Sequence, residues 1–240
     1  MTDLKRDIFV TTRWTVVLRA ARSDATRARA ALEDLCQAYW YPLYAYARRR
    51  GYSPHDAEDL TQGFFTRILR LNSLAQVEQE QGKFRAFLLA SMNHFMADEW
   101  DRASAQKRAA GRTVSLDAEM AENRYRSEPM DKLTPERVFE RRWAMTLLEN
   151  VVQRLRKEYE ASGQGALFME IRFAITGDKN AVPYKELASG LGMTEEALRV
   201  AVHRLRQRYR RALREEITQT VADESEVEEE LNCLRRILST

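Results

Sequence analysis

The chain has 240 residues, of which 44% are hydrophobic and 31% charged, and its formal net charge is +3. That is ample for packed cores in one large domain or two small ones, and the overall charge is too small to argue by itself for a nucleic-acid partner. Two isolated cysteines, Cys36 and Cys233, offer neither a disulfide framework nor a CxxC zinc site. No apolar run approaches the roughly 20 residues a membrane span needs, so a cytoplasmic protein without membrane partner, metal or cofactor is expected.

Glycine and proline are scarce, at nine and five, and apolar residues recur at spacings of three and four almost throughout, which predicts an all-α fold. Thr11 or Thr12 caps a first helix with Trp14, Val17 and Leu18. A second runs from about Arg27 to Arg50 with Leu32, Leu35, Tyr39, Leu43 and Tyr46 on one face, kinked at Pro42 and ended by three arginines and Gly51. Ser53 and Pro54 open the next as N-cap and first helical residue, with Ala57, Leu60, Phe64, Ile68 and Leu71 facing inward. A further helix from Phe84 to about Arg102 is dense in Phe87, Leu88, Phe95, Met96 and Trp100.

From Ala103 to Thr134 the periodicity fades into polar and small residues, which reads as a linker between two helical lobes. Pro135 then starts a helix carrying Val138, Phe139, Trp143, Leu147, Val151 and Leu155, and Ala166 to Ile175 forms a short one. Tyr184 to Leu191, a turn at Gly192-Met193, and a long helix capped by Thr194 have the spacing of a helix-turn-helix, with Leu187, Ala188, Leu198 and Val202 packing the pair.

Residues 197–214 carry seven arginines and no acid. Leu198, Val202, Leu205 and Tyr209 step four, three, four as the buried stripe, and Arg199, His203, Arg206 and Arg210 step identically about 100° away, facing outward. With no acid read at the third or fourth position ahead to offset them, the arginines suit a phosphate backbone. From Tyr184 to Arg214 eight basic residues face three acids, whereas from Glu215 to Thr240 two face eight. The C-terminal acids, with Val221, Val227, Leu231, Leu234 and Leu238, predict an amphipathic helix folded back on the second lobe, where it could mask the arginines by mimicking phosphate.

In order and spacing, three segments resemble bacterial RNA polymerase sigma factors of the extracytoplasmic-function type, over roughly residues 28–214. The stretch GYSPHDAEDLTQGFFTRIL is similar to the part of region 2 that grips the polymerase clamp helices, and the resemblance implies that Asp56, Asp59 and Gln62 bind polymerase. GKFRAFLLASMNHFMADEWDR looks like the segment that captures the minus-ten element; Lys83 and Arg85, with Phe84 and Phe87, could supply the cationic and apolar surface that holds single-stranded DNA, and Asn93 and His94, where the family often has arginine and asparagine, could hydrogen-bond an unstacked base edge. VPYKELASGLGMTEEALRVAVHRLRQRYR resembles the region 4 reader of the minus-thirty-five element, with Thr194, Glu196, Arg199, His203, Arg204, Arg206 and Arg210 as candidate contacts. Arg199 is the leading base reader, because arginine bidentate to guanine is the commonest specific contact.

The resemblance implies five parts: an N-terminal extension (1–27), a region 2-like helical domain (28–104), a linker (105–134), a region 4-like helix-turn-helix domain (135–217) and an acidic C-terminal extension (218–240). It also implies core RNA polymerase and promoter DNA as partners and leaves room for a separate anti-sigma protein. Two further departures are Gly63 where glutamate is usual, and Val200 with Ala201 where relatives are often polar. An enzyme is not expected, since His55, His94 and His203 are isolated and no metal, nucleotide-binding or nucleophile motif is present. The rival reading is a stand-alone helix-turn-helix regulator.

Overall fold

The computed structural model describes residues 38–70, 84–105, 116–127, 133–177, 183–221 and 223–239. The expected N-terminal helix with Trp14, and Leu32, Leu35, Cys36, Leu71 and Lys83, lie outside them. Among the described residues all regular structure is helical and no strand forms. These residues fall into two units, one drawn from Met1–Thr146 and Ile217–Thr240, the other Leu147–Glu216.

In the first unit, helix α1 covers 38–49 and passes through Pro42 without interruption. It is buried on nearly every side: Tyr39, Leu43, Tyr44, Ala45, Tyr46 and Ala47 are each at most 1% exposed. Helix α2, Pro54–Arg70, starts as its sequence dictates, with the Asp56 amide donating to Ser53 Oγ at 3.1 Å. It buries Ala57, Phe64, Phe65 and Ile68. Helix α3, Phe84–Ala105, supplies Phe84, Leu88, Met92, Phe95 and Met96 to the same core. The Phe84 ring meets Tyr39 edge-on at 5.1 Å, and Phe95 lies 5.9 Å from Phe64.

The stretch expected to be a loose linker contains helix α4, Leu116–Ser127. One carboxylate docks it: Glu122, 8% exposed, accepts hydrogen bonds from the Tyr44 hydroxyl, from Arg48 Nε and from Arg126 Nε, each at 2.8 Å. Fading apolar periodicity hides such a helix, because its anchor is an ion pair and a small Ala121 instead of a hydrophobic stripe.

Helix α5, Pro135–Ala161, begins in the first unit with Val138, Phe139 and Trp143 buried and ends in the second. The second unit adds α6 (Gly165–Ile171), α7 (Phe173–Thr176), α8 (Tyr184–Gly190) and α9 (Glu195–Thr218). The single short helix expected over Ala166–Ile175 is thus two, parted at Arg172 and closed by Gly177 with φ +76°. Val151, Leu155, Tyr159, Phe168, Ile171, Leu187, Ala188, Leu198, Val202, Leu205 and Ala212 form one core.

After α9 the chain makes a 3-10 turn, Glu224–Glu226, capped by Asp223, and enters helix α10, Val227–Leu238. The expectation that this extension lies on the second lobe is corrected: Ile217–Thr240 belongs to the first unit. Its buried residues are Val227, Glu230, Leu234 and Ile237, so the stripe differs from the expected one, and Leu238 is exposed. An acid in the middle of that face sets the register, because Glu230 answers Arg85 of α3.

Candidate functional site

Three surfaces hold the residues singled out by sequence. On α2, Asp56, Asp59 and Gln62 are all exposed on the side away from Phe64 and Phe65. Each has a local partner: Ser53 Oγ donates to Asp56 Oδ2 at 2.7 Å, His55 Nδ1 lies 3.4 Å from Asp59 Oδ2, and Gln62 Nε2 donates to Glu58 Oε1 at 3.0 Å. The two aspartates border an open groove of about 1350 Å³ between α2 and α3, whose wall includes Gly63, Arg67, Asn93 and Trp100.

Gly63 shapes that groove. A Cβ there would stand 3.2 Å from Cζ of Phe95, so its absence lets the aromatic ring lie against the α2 backbone. The Arg67 guanidinium sits over the same ring at 5.7 Å and pairs with Asp98 at 2.7 Å. Trp100 of α3 is 67% exposed at the groove. The buried positions of α3, Phe84, Leu88, Met92, Phe95 and Met96, end at Met96, and residue 100, one turn later, falls about 40° further round, past the edge of the packed face.

The minus-ten candidates are treated unequally by the fold. His94 is exposed, whereas the neighbouring Asn93 is half-buried and its Oδ1 accepts from the Tyr46 hydroxyl at 2.6 Å. Arg85 requires a correction. Its side chain is 12% exposed, with Nε donating to Glu230 Oε1 at 2.6 Å, Nη2 to Glu230 Oε2 at 3.2 Å, and Nη1 to Glu140 at 3.4 Å. Trp143 lies under the guanidinium at 4.9 Å. Burial would lower this arginine's pKa, but the Glu230 hydrogen bonds and charge raise it above the usual value. A guanidinium so enclosed has no face left for a phosphate.

The third surface is built by α8, the turn and α9. Gly192 takes φ +64°, a conformation that costs other residues, and Met193 N donates back to Ala188 O at 2.9 Å. Thr194 Oγ1 accepts from the Ala197 amide at 3.1 Å, the expected cap. Leu198, Val202 and Leu205 are at most 2% exposed, which turns Glu196, Arg199, His203, Arg204, Arg206 and Arg210 to solvent on one helix.

The reading of the arginines as wholly unoffset is corrected at both ends of the row. Arg199 pairs back with Glu195 at 2.5 Å and its guanidinium covers the Tyr184 ring at 5.1 Å. Glu215 takes Arg154 at 2.7 Å and lies 3.7 Å from Arg211. Between them, Arg206 Nε reaches the Ala174 carbonyl at 3.3 Å and Arg208 lies over Tyr159 at 5.2 Å. Among the described residues no carboxylate pairs with Arg204 or Arg210. The flanking acids were readable in sequence, since 195 precedes 199 by one turn and 215 follows 211 by one.

No group of three or more His, Cys, Asp or Glu side chains among the described residues could hold a metal ion, and no helix there is long and apolar enough to cross a membrane. The three surfaces present charged and hydrogen-bonding side chains and the exposed Trp100 indole.

Residues 35–106 match the family model of sigma-70 region 2. The matched segment contains α1, α2 and α3, with the acidic face and the groove. The match supports a sigma factor of the sigma-70 family with a role in promoter-specific transcription initiation, and it implies binding to core RNA polymerase and to promoter DNA. No curated protein and no solved structure matches the chain.

Proposed function

We propose that the protein is a sigma factor of the extracytoplasmic-function type, acting in the cytoplasm, whose two α-helical units read the two elements of one promoter. The observation that carries this reading is the coincidence, inside the region 2 match, of an exposed Asp56, Asp59 and Gln62 face with the groove beside it. That face is assigned to core polymerase. The neighbouring segment, with Lys83, Asn93 and His94, is assigned to the separated minus-ten strand, where side-chain amide and imidazole groups can hydrogen-bond unstacked base edges.

The minus-thirty-five element is assigned to α9. Arg199 is its base reader, with Thr194, Glu196 and His203 beside it, and Arg204, Arg206 and Arg210 hold phosphates. Stacking on Tyr184 supports the role of Arg199, because it fixes the guanidinium plane before DNA arrives and leaves less rotamer entropy to lose. The Glu195 contact must then be exchanged for guanine, and since it is an exposed pair it is weak, about 0.3–0.5 kcal/mol. Run-off transcription with purified core polymerase, followed by sequencing of the initiated RNAs, tests the whole reading. Initiation from a common pair of upstream sequences supports it, whereas binding to a duplex alone as a symmetric dimer, with no effect on core enzyme, refutes it.

A further inference from the structure

Gly192 and the Thr194 cap fix where α9 begins, and Leu198, Val202 and Leu205, at most 2% exposed, fix how it is rotated. Val200 stands two residues from Leu198 and two from Val202. At about 100° per residue it therefore lies about 200° from either, on the side of the helix away from the core. It is 43% exposed, whereas its neighbour Ala201 packs against the core of the second unit. Glu196 and Arg204 lie one turn before and after it, and His203 and Gln207 are exposed on the same side.

A valine at this place is of little use to the free protein. A β-branched side chain is a weaker helix former than the glutamate, arginine and glutamine around it, because its χ1 is restricted against the preceding turn. Standing outside the core, it gains little burial in return. One valine among polar neighbours is also too small an apolar patch to hold another protein.

Its surroundings suit a different environment. Counting about 100° per residue, Arg199, Arg206 and Arg210 lie about 80–120° to one side of Val200, and Arg204 and Arg208 about 40–80° to the other. A helix with cations on both flanks and a short side chain between them matches a major groove, where phosphates line the two walls and base edges form the floor. Long side chains reach a phosphate or a base edge from a distance. The valine methyls touch only what lies directly under the helix, and the one apolar group that a standard base presents there is the C5 methyl of thymine.

We propose that Val200 is a specificity-determining residue of α9, selecting a thymine in the upstream promoter element by contact with its C5 methyl group. The proposal rests on the assignment of α9 to duplex DNA made above. It adds to Arg199, which reads hydrogen-bonding groups, a contact that reads an apolar one. The gain comes from taking the methyl group and the valine surface facing it out of water. On the scale of one buried methyl group that is about three- to fivefold in affinity.

The test uses the full chain bound to core polymerase. Sequencing the RNAs it initiates gives the upstream element, and each thymine of that element, on either strand, is replaced in turn by deoxyuridine, which removes the methyl group and leaves base pairing unchanged. Equilibrium binding to these duplexes is then measured for the parent and for Val200→Ser, after circular dichroism has established that the variant keeps its helices. The parent should bind one substituted duplex about three- to fivefold more weakly than the thymine duplex, and Val200→Ser should bind the two alike. An element without thymine, tolerance of every uracil by the parent, or an equal loss in parent and variant overturns the proposal and leaves α9 as the reader. If exchanging the whole upstream element for unrelated sequence leaves binding by the parent unchanged, the assignment of α9 to that element falls with it.

Discussion

Glu122 of α4 accepts a 2.8 Å hydrogen bond from Nε of Arg48 in α1, a residue 74 positions earlier, and this contact turns a polar connecting stretch into a docked helix. Burial alone would raise the carboxyl's pKa, but hydrogen bonds from Arg48, Tyr44 and Arg126, with the Arg48 charge, hold it below the usual carboxylate value. Replacing it removes a buried acceptor for several donors. Glu122→Gln is expected to cost about 2 kcal/mol in urea unfolding at neutral pH, the scale of a charged hydrogen bond left unmade.

The same contact has a pH signature. A carboxyl with a depressed folded-state pKa stabilises the fold above its unfolded-state pKa, and that stabilisation is lost as pH falls through the folded-state value. The stability difference between the parent and Glu122→Gln should therefore be full at neutral pH and shrink as acid is added below about pH 4, the unperturbed glutamate range. Unfolding midpoints across that range check it, and a constant difference would contradict it.

Two glycines make opposite demands. At Gly192, φ +64° with open space around the missing Cβ means that only the backbone objects, so Gly192→Ala should cost about 1–2 kcal/mol and Gly192→Asn less. At Gly63 the helix itself would gain about 1 kcal/mol from alanine. The Phe95 ring at 3.2 Å must move, and it is wedged between Phe64 and the Arg67 guanidinium. Gly63→Ala is thus expected to be destabilising by about 1 kcal/mol net, the scale of an overpacked core. Thermal unfolding of the three variants decides both cases.

Ser53, Thr194 and Gly192 could be read from sequence because caps and turns act on residues within one helical turn. The buried stripes of α5 and α9 were equally readable from their periodicity. Glu122 and Glu230 were not, since a carboxylate with a buried partner looks the same in a sequence as a solvated one. Glu230 meets Arg85 across 145 positions, and no local pattern records such a pairing. The same blindness made Arg85 look like a DNA contact and sent α10 to the wrong unit.

On DNA, Arg199 and Arg210 should separate by the kind of loss. Arg199→Ala is expected to cost about 1–3 kcal/mol on the preferred sequence and little elsewhere, because a base contact carries discrimination. Arg210→Ala should weaken all duplexes alike and reduce the salt slope by about one unit. Titrations on matched and mismatched duplexes at several salt concentrations distinguish the two, and exchanged behaviour would reverse the assignment.

We propose above that the acidic face of α2 engages core RNA polymerase. Its most direct measurement is equilibrium binding of core enzyme to the full chain and to the Asp56→Asn, Asp59→Asn double variant, which keeps side-chain size and the Ser53 cap. Saturable binding by the parent, weakened at least about tenfold, or about 1.4 kcal/mol, in the variant is expected. No binding by the parent, or equal binding by both, would contradict it.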